Sequence, residues 1–164
     1  MKSVELHVEL PIPASAAHDE TMRLFAALGR GEAPFDELAL SLGLRSLHLP
    51  VGGELRIPIA AQVHLEPVRW EATLEIAAAD HPGFFPRFHG SVALNALGPA
   101  KSELWLQGTY SAPMGALGDR VDAALLHGAA ESSLHKLLEH IADVVVSTIR
   151  EREESIARRT RGLT

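Results

Sequence analysis

The chain opens with polar and apolar side chains in strict alternation. Over Ser3–Leu10 every second residue is apolar, a pattern typical of a strand with one buried and one exposed face. The Pro11-Ile12-Pro13 segment then predicts the end of this strand, because proline cannot donate a backbone hydrogen bond to a neighbouring strand.

Helical spacing replaces the alternation after this segment. Ser15 is predicted to cap a helix that ends at Gly29, since a serine oxygen can accept a bond from a free backbone N–H of the first turn. A second short helix is predicted to begin at Pro34 and to end at Gly43, with leucines at helical spacing between them.

Period-two alternation returns after Gly52-Gly53 and continues for about sixty residues, which predicts an antiparallel meander. The four predicted strands carry their apolar faces over Leu55–Leu65, Trp70–Ile76, Phe88–Leu94 and Leu104–Tyr110. The residues between these apolar positions are mostly polar, as expected where the other face of the sheet meets water.

A long amphipathic helix is predicted from about Gly118 to about Ala157. At 100° per residue its apolar side chains form one stripe along the helix. The stripe comprises Leu126, Ala130, Ser133, Leu137, Ile141, Val144 and Thr148, with Leu134, Leu138 and Val145 on one flank. The sequence therefore predicts a single domain over residues 1–157 and a flexible tail over residues 158–164.

Composition narrows the possible functions. The net charge is −6, and the one basic cluster, Arg158, Arg159 and Arg161, is interpreted as a solvated helix end, so no nucleic-acid partner is expected. No apolar run approaches the roughly 20 residues that cross a bilayer, and the N-terminus has no signal-peptide pattern. We expect a cytoplasmic protein, a monomer or homodimer, that does not insert into membranes.

Candidate metal chemistry is limited to histidine and carboxylates, because the chain contains no cysteine. His127, Glu131 and His135 recur every four residues and share one helical face, but they lie off the apolar stripe. We interpret them as exposed polar residues and expect no metal and no cofactor. The sequence also contains no phosphate loop, dinucleotide fingerprint or nucleophile elbow.

Two segments resemble a known superfamily. They are Phe88-His89-Gly90-Ser91-Val92-Ala93-Leu94 and the run from Leu104 through Gly118, which reads Leu-Trp-Leu-Gln-Gly-Thr-Tyr-Ser-Ala-Pro-Met-Gly-Ala-Leu-Gly. Both are similar to the closing strands and helix entry of uncharacterised bacterial START-like (SRPBCC) proteins, and Leu125–Ala142 is similar to their terminal helix.

The resemblance implies an α+β helix-grip fold, in which a curved antiparallel sheet wraps around a long C-terminal helix and two short helices follow strand one. Gly90 and Gly108 would then leave room for sharp bends in the sheet. The resemblance also implies an internal cavity for lipids, sterols, polyketides or other apolar molecules, without implying catalysis.

The residues predicted to line this cavity come from the inward strand faces, the helix entry and the helix stripe. They are Leu65, Trp70, Leu74, Phe88, Leu94, Leu106, Tyr110, Met114, Leu126, Ala130, Ser133, Leu137 and Ile141.

Two of the predicted lining residues are polar, and their roles stay open. The Ser133 hydroxyl can bond a ligand or the carbonyl four residues earlier in its own helix, and the second arrangement is the commoner one. Tyr110 needs a partner when buried, either a ligand or the protein. His140 lies at the edge of the stripe. It could act as a general base, but the favoured interpretation is a histidine at the rim without a catalytic role.

Three functions remain compatible with these features. The favoured one is a non-catalytic carrier or sensor of a small hydrophobic ligand, either lipid-like or polyketide-like. The alternatives are an enzyme of the polyketide cyclase or aromatase type and a protein-interaction module whose terminal helix docks a partner.

Overall fold

The computed structural model of the chain describes residues 1–32, 37–40, 55–80, 87–111 and 123–161. Six strands and two helices form the described part. In chain order they are β1 (Lys2–Leu10), α1 (Ala14–Gly29), β2 (Glu37–Leu40), β3 (Leu55–Glu66), β4 (Glu71–Ala78), β5 (Arg87–Gly98), β6 (Lys101–Ser111) and α2 (Ala123–Arg161). A 3₁₀ turn over Pro67–Arg69 connects β3 to β4.

The strands form one antiparallel sheet in the order β1-β6-β5-β4-β3-β2. Strands β3 to β6 form the predicted meander, and β1 joins its far edge, where Leu6 lies opposite Leu106. The alternation predicted from the sequence is confirmed in β4, whose side chains at Ala72, Leu74 and Ile76 are buried while those between them are partly exposed.

Strands β5 and β6 approach each other closely at Gly90 and Gly108, which are direct cross-strand partners, and we infer that the sheet bends here. A methyl group on Gly90 would lie 2.2 Å from the carbonyl oxygen of Gln107 and 2.6 Å from the ring of Phe88. A methyl group on Gly108 would lie 2.5 Å from the carbonyl oxygen of His89. Only glycine fits at both positions, so this pair permits the close approach at which the strands bend.

Helix α2 lies across the concave side of the curved sheet. It packs closely against β1 and β2, the two edge strands, and against α1, whereas the central strands β4 and β5 lie farther from its backbone. Its side chains at Leu134, Leu138, Ile141, Val145 and Ile149 are buried and join the core formed by the inward strand faces. The sheet thus holds the helix mainly by its two edges.

A buried ion pair joins the two helices. Glu20 of α1 is 1% exposed. Its carboxylate accepts hydrogen bonds from Arg23 in the same helix and, at 2.9 Å, from the Nη2 atom of Arg152 in α2. The hydrogen bonds from Arg23 lower the pKa of the Glu20 carboxyl below its usual value, although burial acts in the opposite direction, and the charge of Arg152 lowers it further.

The predicted START-like arrangement of elements is confirmed, and several of its details are corrected. Ser15 does not cap α1, because the helix begins at Ala14 and the carbonyl of Pro13 instead accepts bonds from the backbone N–H groups of the first turn. The predicted second helix is wrong over Glu37–Leu40, which pair with β3 as a strand. Here cross-strand hydrogen bonding outweighs the helical spacing of the leucines. Pro34 and Gly43 lie outside the described residues.

Two boundaries also differ from the prediction. Trp70 precedes β4 rather than belonging to it, since its backbone is left-handed (φ 57°) at the end of the 3₁₀ turn. Helix α2 continues through Arg161, so residues 158–161 are helical rather than part of a tail. The extent of the domain remains a prediction. Neither helix in the described part of the chain combines the length and apolar character needed to span a membrane.

The glycine pair gives a direct test of the bend. We expect Gly90→Ala and Gly108→Ala each to lower the free energy of unfolding by about 1–3 kcal/mol or to prevent folding, because the added methyl meets backbone atoms that must move. Gly128→Ala in α2 is the matched control. A methyl there meets no atom within 4 Å, and alanine should stabilise the helix by about 0.5–1 kcal/mol. Chemical denaturation measures all three, and a Gly90→Ala protein as stable as the parent would contradict the account of the bend.

The ion pair gives a prediction about pH. Because the pKa of Glu20 is lowered in the folded protein, its stabilising effect is complete above the usual carboxyl pKa and is lost as the pH falls through the lowered value. Glu20→Gln should cost about 1–3 kcal/mol at neutral pH, and the difference from the parent should shrink under acid conditions. Glu154→Gln, which removes an exposed pair with Arg158, should cost less than about 1 kcal/mol. Denaturation over a pH series checks this, and a cost for Glu20→Gln that does not change with pH would refute it.

Candidate functional site

The concave side of the sheet is almost entirely hydrocarbon in the described residues. The inward positions of β4, β5 and β6 include Leu74, Phe88, Val92 and Leu106, all buried, and α2 adds its leucine and isoleucine stripe. Among the described residues, the buried polar or charged side chains are Glu20, Thr21, Ser102 and Ser133, and Tyr110 is buried with them. A molecule held between sheet and helix would therefore meet mostly apolar surface.

The strands bring their predicted lining residues to this concave side. Leu74, Phe88, Leu94, Leu106 and Tyr110 are buried. All but Tyr110 belong to the same apolar cluster, and Leu65 and Trp70 are partly buried against it.

Helix α2 lies opposite these strand residues. Ala130, Ser133, Leu137 and Ile141 are buried on α2, and Leu137 and Ile141 join the apolar cluster of the strands. Met114 and the side chain of Leu126 lie outside the described part of the structure. Whether all these residues line one cavity remains a prediction.

Neighbouring leucines of α2 differ in how completely they are covered. Leu138 is 1% exposed, whereas Leu137 retains 8% and Ala130 retains 7% exposure. On the sheet, the inward residues Val63 and Leu65 of β3 are also only partly buried. Several inward side chains of β1 and β3 and part of the predicted stripe of α2 thus keep some exposure, while the leucines of β4 and β6 are fully packed.

The polar groups of the interior are mostly engaged by the protein. Ser102 donates a hydrogen bond to the carbonyl of Ile12 at 2.8 Å, and neither Tyr110 nor Ser133 is without a partner. Thr21 is the exception within the described residues, since its buried hydroxyl has no hydrogen-bond partner there. Leaving such a group unpaired costs about 1–3 kcal/mol, so a bound water or ligand atom that paired with it would stabilise the protein.

The ionisable side chains do not converge on this interior in the described part of the chain. The histidine proposed as a possible base, His140, is exposed on α2. His135 lies 3.9 Å from Glu139 on the same helix, and no three potential ligands among the described residues are placed to hold a metal. The side chain of His127 lies outside those residues, so the expectation that the protein needs no metal remains a prediction.

The fold is similar to that of several known proteins. No protein-family model matches the sequence, and no curated protein is significantly similar to it. Among solved structures, the protein TTHA0849 from Thermus thermophilus has a TM-score of 0.57 at 13% identity, covering 90% of this chain and 99% of that chain. Ara h 8.0201 has a TM-score of 0.55 at 12% identity, covering 89% and 98% respectively. The Zhui aromatase/cyclase from Streptomyces sp. R1128 has a TM-score of 0.53 at 13% identity, covering 92% and 94%.

The chain has the START-like helix-grip fold. Identities this low establish the shared fold and leave the ligand and the reaction open. The START-like resemblance predicted from the sequence of β5, β6 and α2 is therefore confirmed at the level of fold.

The structure also contains a contact, between His18 and Trp70, that the sequence did not predict. His18 of α1 packs its ring against Trp70 with centroids 4.9 Å apart. Its Nε2 atom lies 3.1 Å from the carbonyl oxygen of Pro67, and its Nδ1 atom lies 2.9 Å from Asp19. This contact fixes the β3–β4 turn on α1 and explains why Trp70 leaves the strand. Its partners are about fifty residues apart in sequence, so no local pattern predicts it.

Proposed function

We propose that this START-like protein binds a small, mainly apolar molecule between the concave face of its sheet and α2. The proposal rests on how the sheet contacts the helix. The edge strands β1 and β2 pack closely against α2, whereas the central strands lie farther away. The inward side chains that face this region are hydrocarbon. Small-molecule sites are commonly apolar and concave with few polar groups, which this arrangement matches.

The interior offers few points at which a ligand could be oriented. Tyr110 and Ser133 bring hydroxyl groups from the sheet and the helix, and Thr21 adds a buried hydroxyl without a partner among the described residues. All three are neutral. A ligand with one or two hydroxyl or carbonyl groups on an apolar skeleton, lipid-like or polyketide-like, suits this lining better than a charged ligand, because a buried charge needs a partner.

Binding fits the described interior better than catalysis does. The one buried carboxylate among the described residues, Glu20, is already bonded to Arg23 and Arg152, and its lowered pKa keeps it ionised and unable to donate a proton. General acid–base catalysis needs a group whose pKa lies near the working pH and within reach of the substrate. His140, the candidate base on α2, is exposed.

A cyclase or aromatase is the second candidate. Two buried hydroxyls, Tyr110 and Ser133, stand on the sheet and the helix, where they could polarise a carbonyl of a bound polyketide-like substrate. The similarity in fold to the Zhui aromatase/cyclase makes this worth testing. Incubation with a linear polyketide mimic separates the two candidates, since a carrier returns the compound unchanged and a cyclase converts it to a ring.

Ligand binding can be measured directly. Protein isolated from its natural host should carry a co-purifying apolar molecule in native mass spectrometry, and the emptied protein should bind a naphthalene-type fluorescent probe. Leu137→Ala should alter the affinity for that probe, because the proposed site lies against this stripe of α2 and the side chain is less completely covered than its neighbour Leu138. Failure to detect any bound molecule or probe, with the fold intact, would contradict the proposal.

The adjacent leucine provides the control for that experiment. Leu138 is fully packed, so Leu138→Ala should lower the free energy of unfolding by about 2–5 kcal/mol and leave probe affinity nearly unchanged. Leu137→Ala should cost less, because fewer atoms surround its side chain. Equal losses of stability in the two variants, with no change in probe binding, would indicate that both leucines sit in a filled core.

A further inference from the structure

A groove runs between α2 and the end of β1, at the margin of the contact between sheet and helix. Its volume is about 740 Å³. Val8, Ala142 and Val146 form an apolar floor, and five carboxylates with a single cation, Arg150, surround it among the described residues. Glu139 and Asp143 are the carboxylates nearest the middle of the helix, and both are exposed. The groove is thus an acidic trough with hydrocarbon at its base.

The helix face that borders the groove continues beyond the body of the protein and becomes basic in its last turn. At 100° per residue, Glu139, Asp143, Arg150, Ala157 and Arg161 fall within about 40° of one another around α2. Apart from Ser155, the residues from 150 to 161 are exposed. On this face the projecting turns carry Arg150, Ala157 and Arg161, with Glu153 and Glu154 on its two flanks, so the positive charge is concentrated in residues 157–161.

We propose that the groove binds the last turns of α2 from a second copy of this chain. The two helices run antiparallel about a two-fold axis near Arg150. This register sets Arg161 of one copy opposite Glu139 of the other and Arg158 beside Asp143, while Ala157 faces the apolar floor. A two-fold axis makes every such contact twice, because the same patch serves both subunits.

Charge complementarity selects this occupant. In this register Glu139 and Asp143 of the groove lie opposite Arg161 and Arg158 of the second copy, while Glu151 and Glu154 of the groove belong to the projecting turns themselves. The ion pair of Arg158 with Glu154, at 3.7 Å, joins two side chains that are more than two-thirds exposed, so exchanging it for a contact with the second copy costs little. The same pairing gives the projecting turns an apolar surface to cover, which they lack in a monomer.

The test uses two charge-reversal variants and their mixture. Arg158→Glu with Arg161→Glu makes both patches acidic, and Glu139→Lys with Asp143→Lys makes both patches basic. Each variant alone should associate about tenfold or more weakly than the parent, because every opposite-charge contact becomes a like-charge contact. In the heterodimer of the two variants one of the two symmetry-related sets of contacts keeps its original signs and the other has its signs exchanged. Every contact is then again between opposite charges, so the mixture should form a heterodimer about as readily as the parent forms a homodimer.

Sedimentation equilibrium up to millimolar protein measures the association, and circular dichroism confirms that each variant keeps its helix. Asp80→Lys, an exposed change outside the groove, should associate like the parent. A parent that stays monomeric, folded variants that dimerise as well as the parent, or a mixture that gives no heterodimer would each overturn the proposal. A monomeric parent would instead point to a basic segment of another protein as the occupant of the groove.

Discussion

The curvature of the sheet depends on the close approach of two glycines. Gly90 and Gly108 face each other across β5 and β6, where a methyl group on either one would overlap backbone atoms of the neighbouring strand. A sheet that bends at its centre can bring both edges towards one helix, whereas a flat sheet would touch α2 along a single strip. The contacts of α2 with β1 and β2, at opposite edges, follow from this bend.

Edge contacts alone would leave α2 free to shift along its axis, and α1 supplies the remaining restraint. Glu20 binds Arg152 across the two helices, and Thr21, Leu24 and Phe25 of α1 are buried beside it. The ion pair lies at the end of α2 that leaves the body of the protein. The helix is therefore fixed by the sheet edges along its middle and by a charged contact near Arg152, and the apolar interior lies between these two restraints.

Period-two alternation predicted β1 and β3 to β6 correctly. Each of these strands has one buried face, so apolar residues occupy every second position of its sequence. The amphipathic stripe predicted α2 for the same reason. The prediction failed where a distant partner decides the structure. Residues 37–40 have helical spacing but pair with β3, Trp70 leaves β4 to pack on His18, and Glu20 depends on an arginine 132 residues away. Among the predicted lining residues, Leu74, Phe88, Leu94, Leu106, Leu137 and Ile141 lie in the core. A sequence pattern indicates burial but not whether the buried space is filled.

If an apolar space remains between the sheet and α2, xenon will enter it. Xenon enters dry apolar cavities and shifts the NMR signals of nearby methyl groups. We expect shifts for the methyls of Leu137 on α2 and Leu65 on β3, which keep some access, and none for Leu10 and Leu28, which are fully packed. Unchanged methyl signals throughout the inward faces would show that the core is filled and would contradict the ligand-binding account.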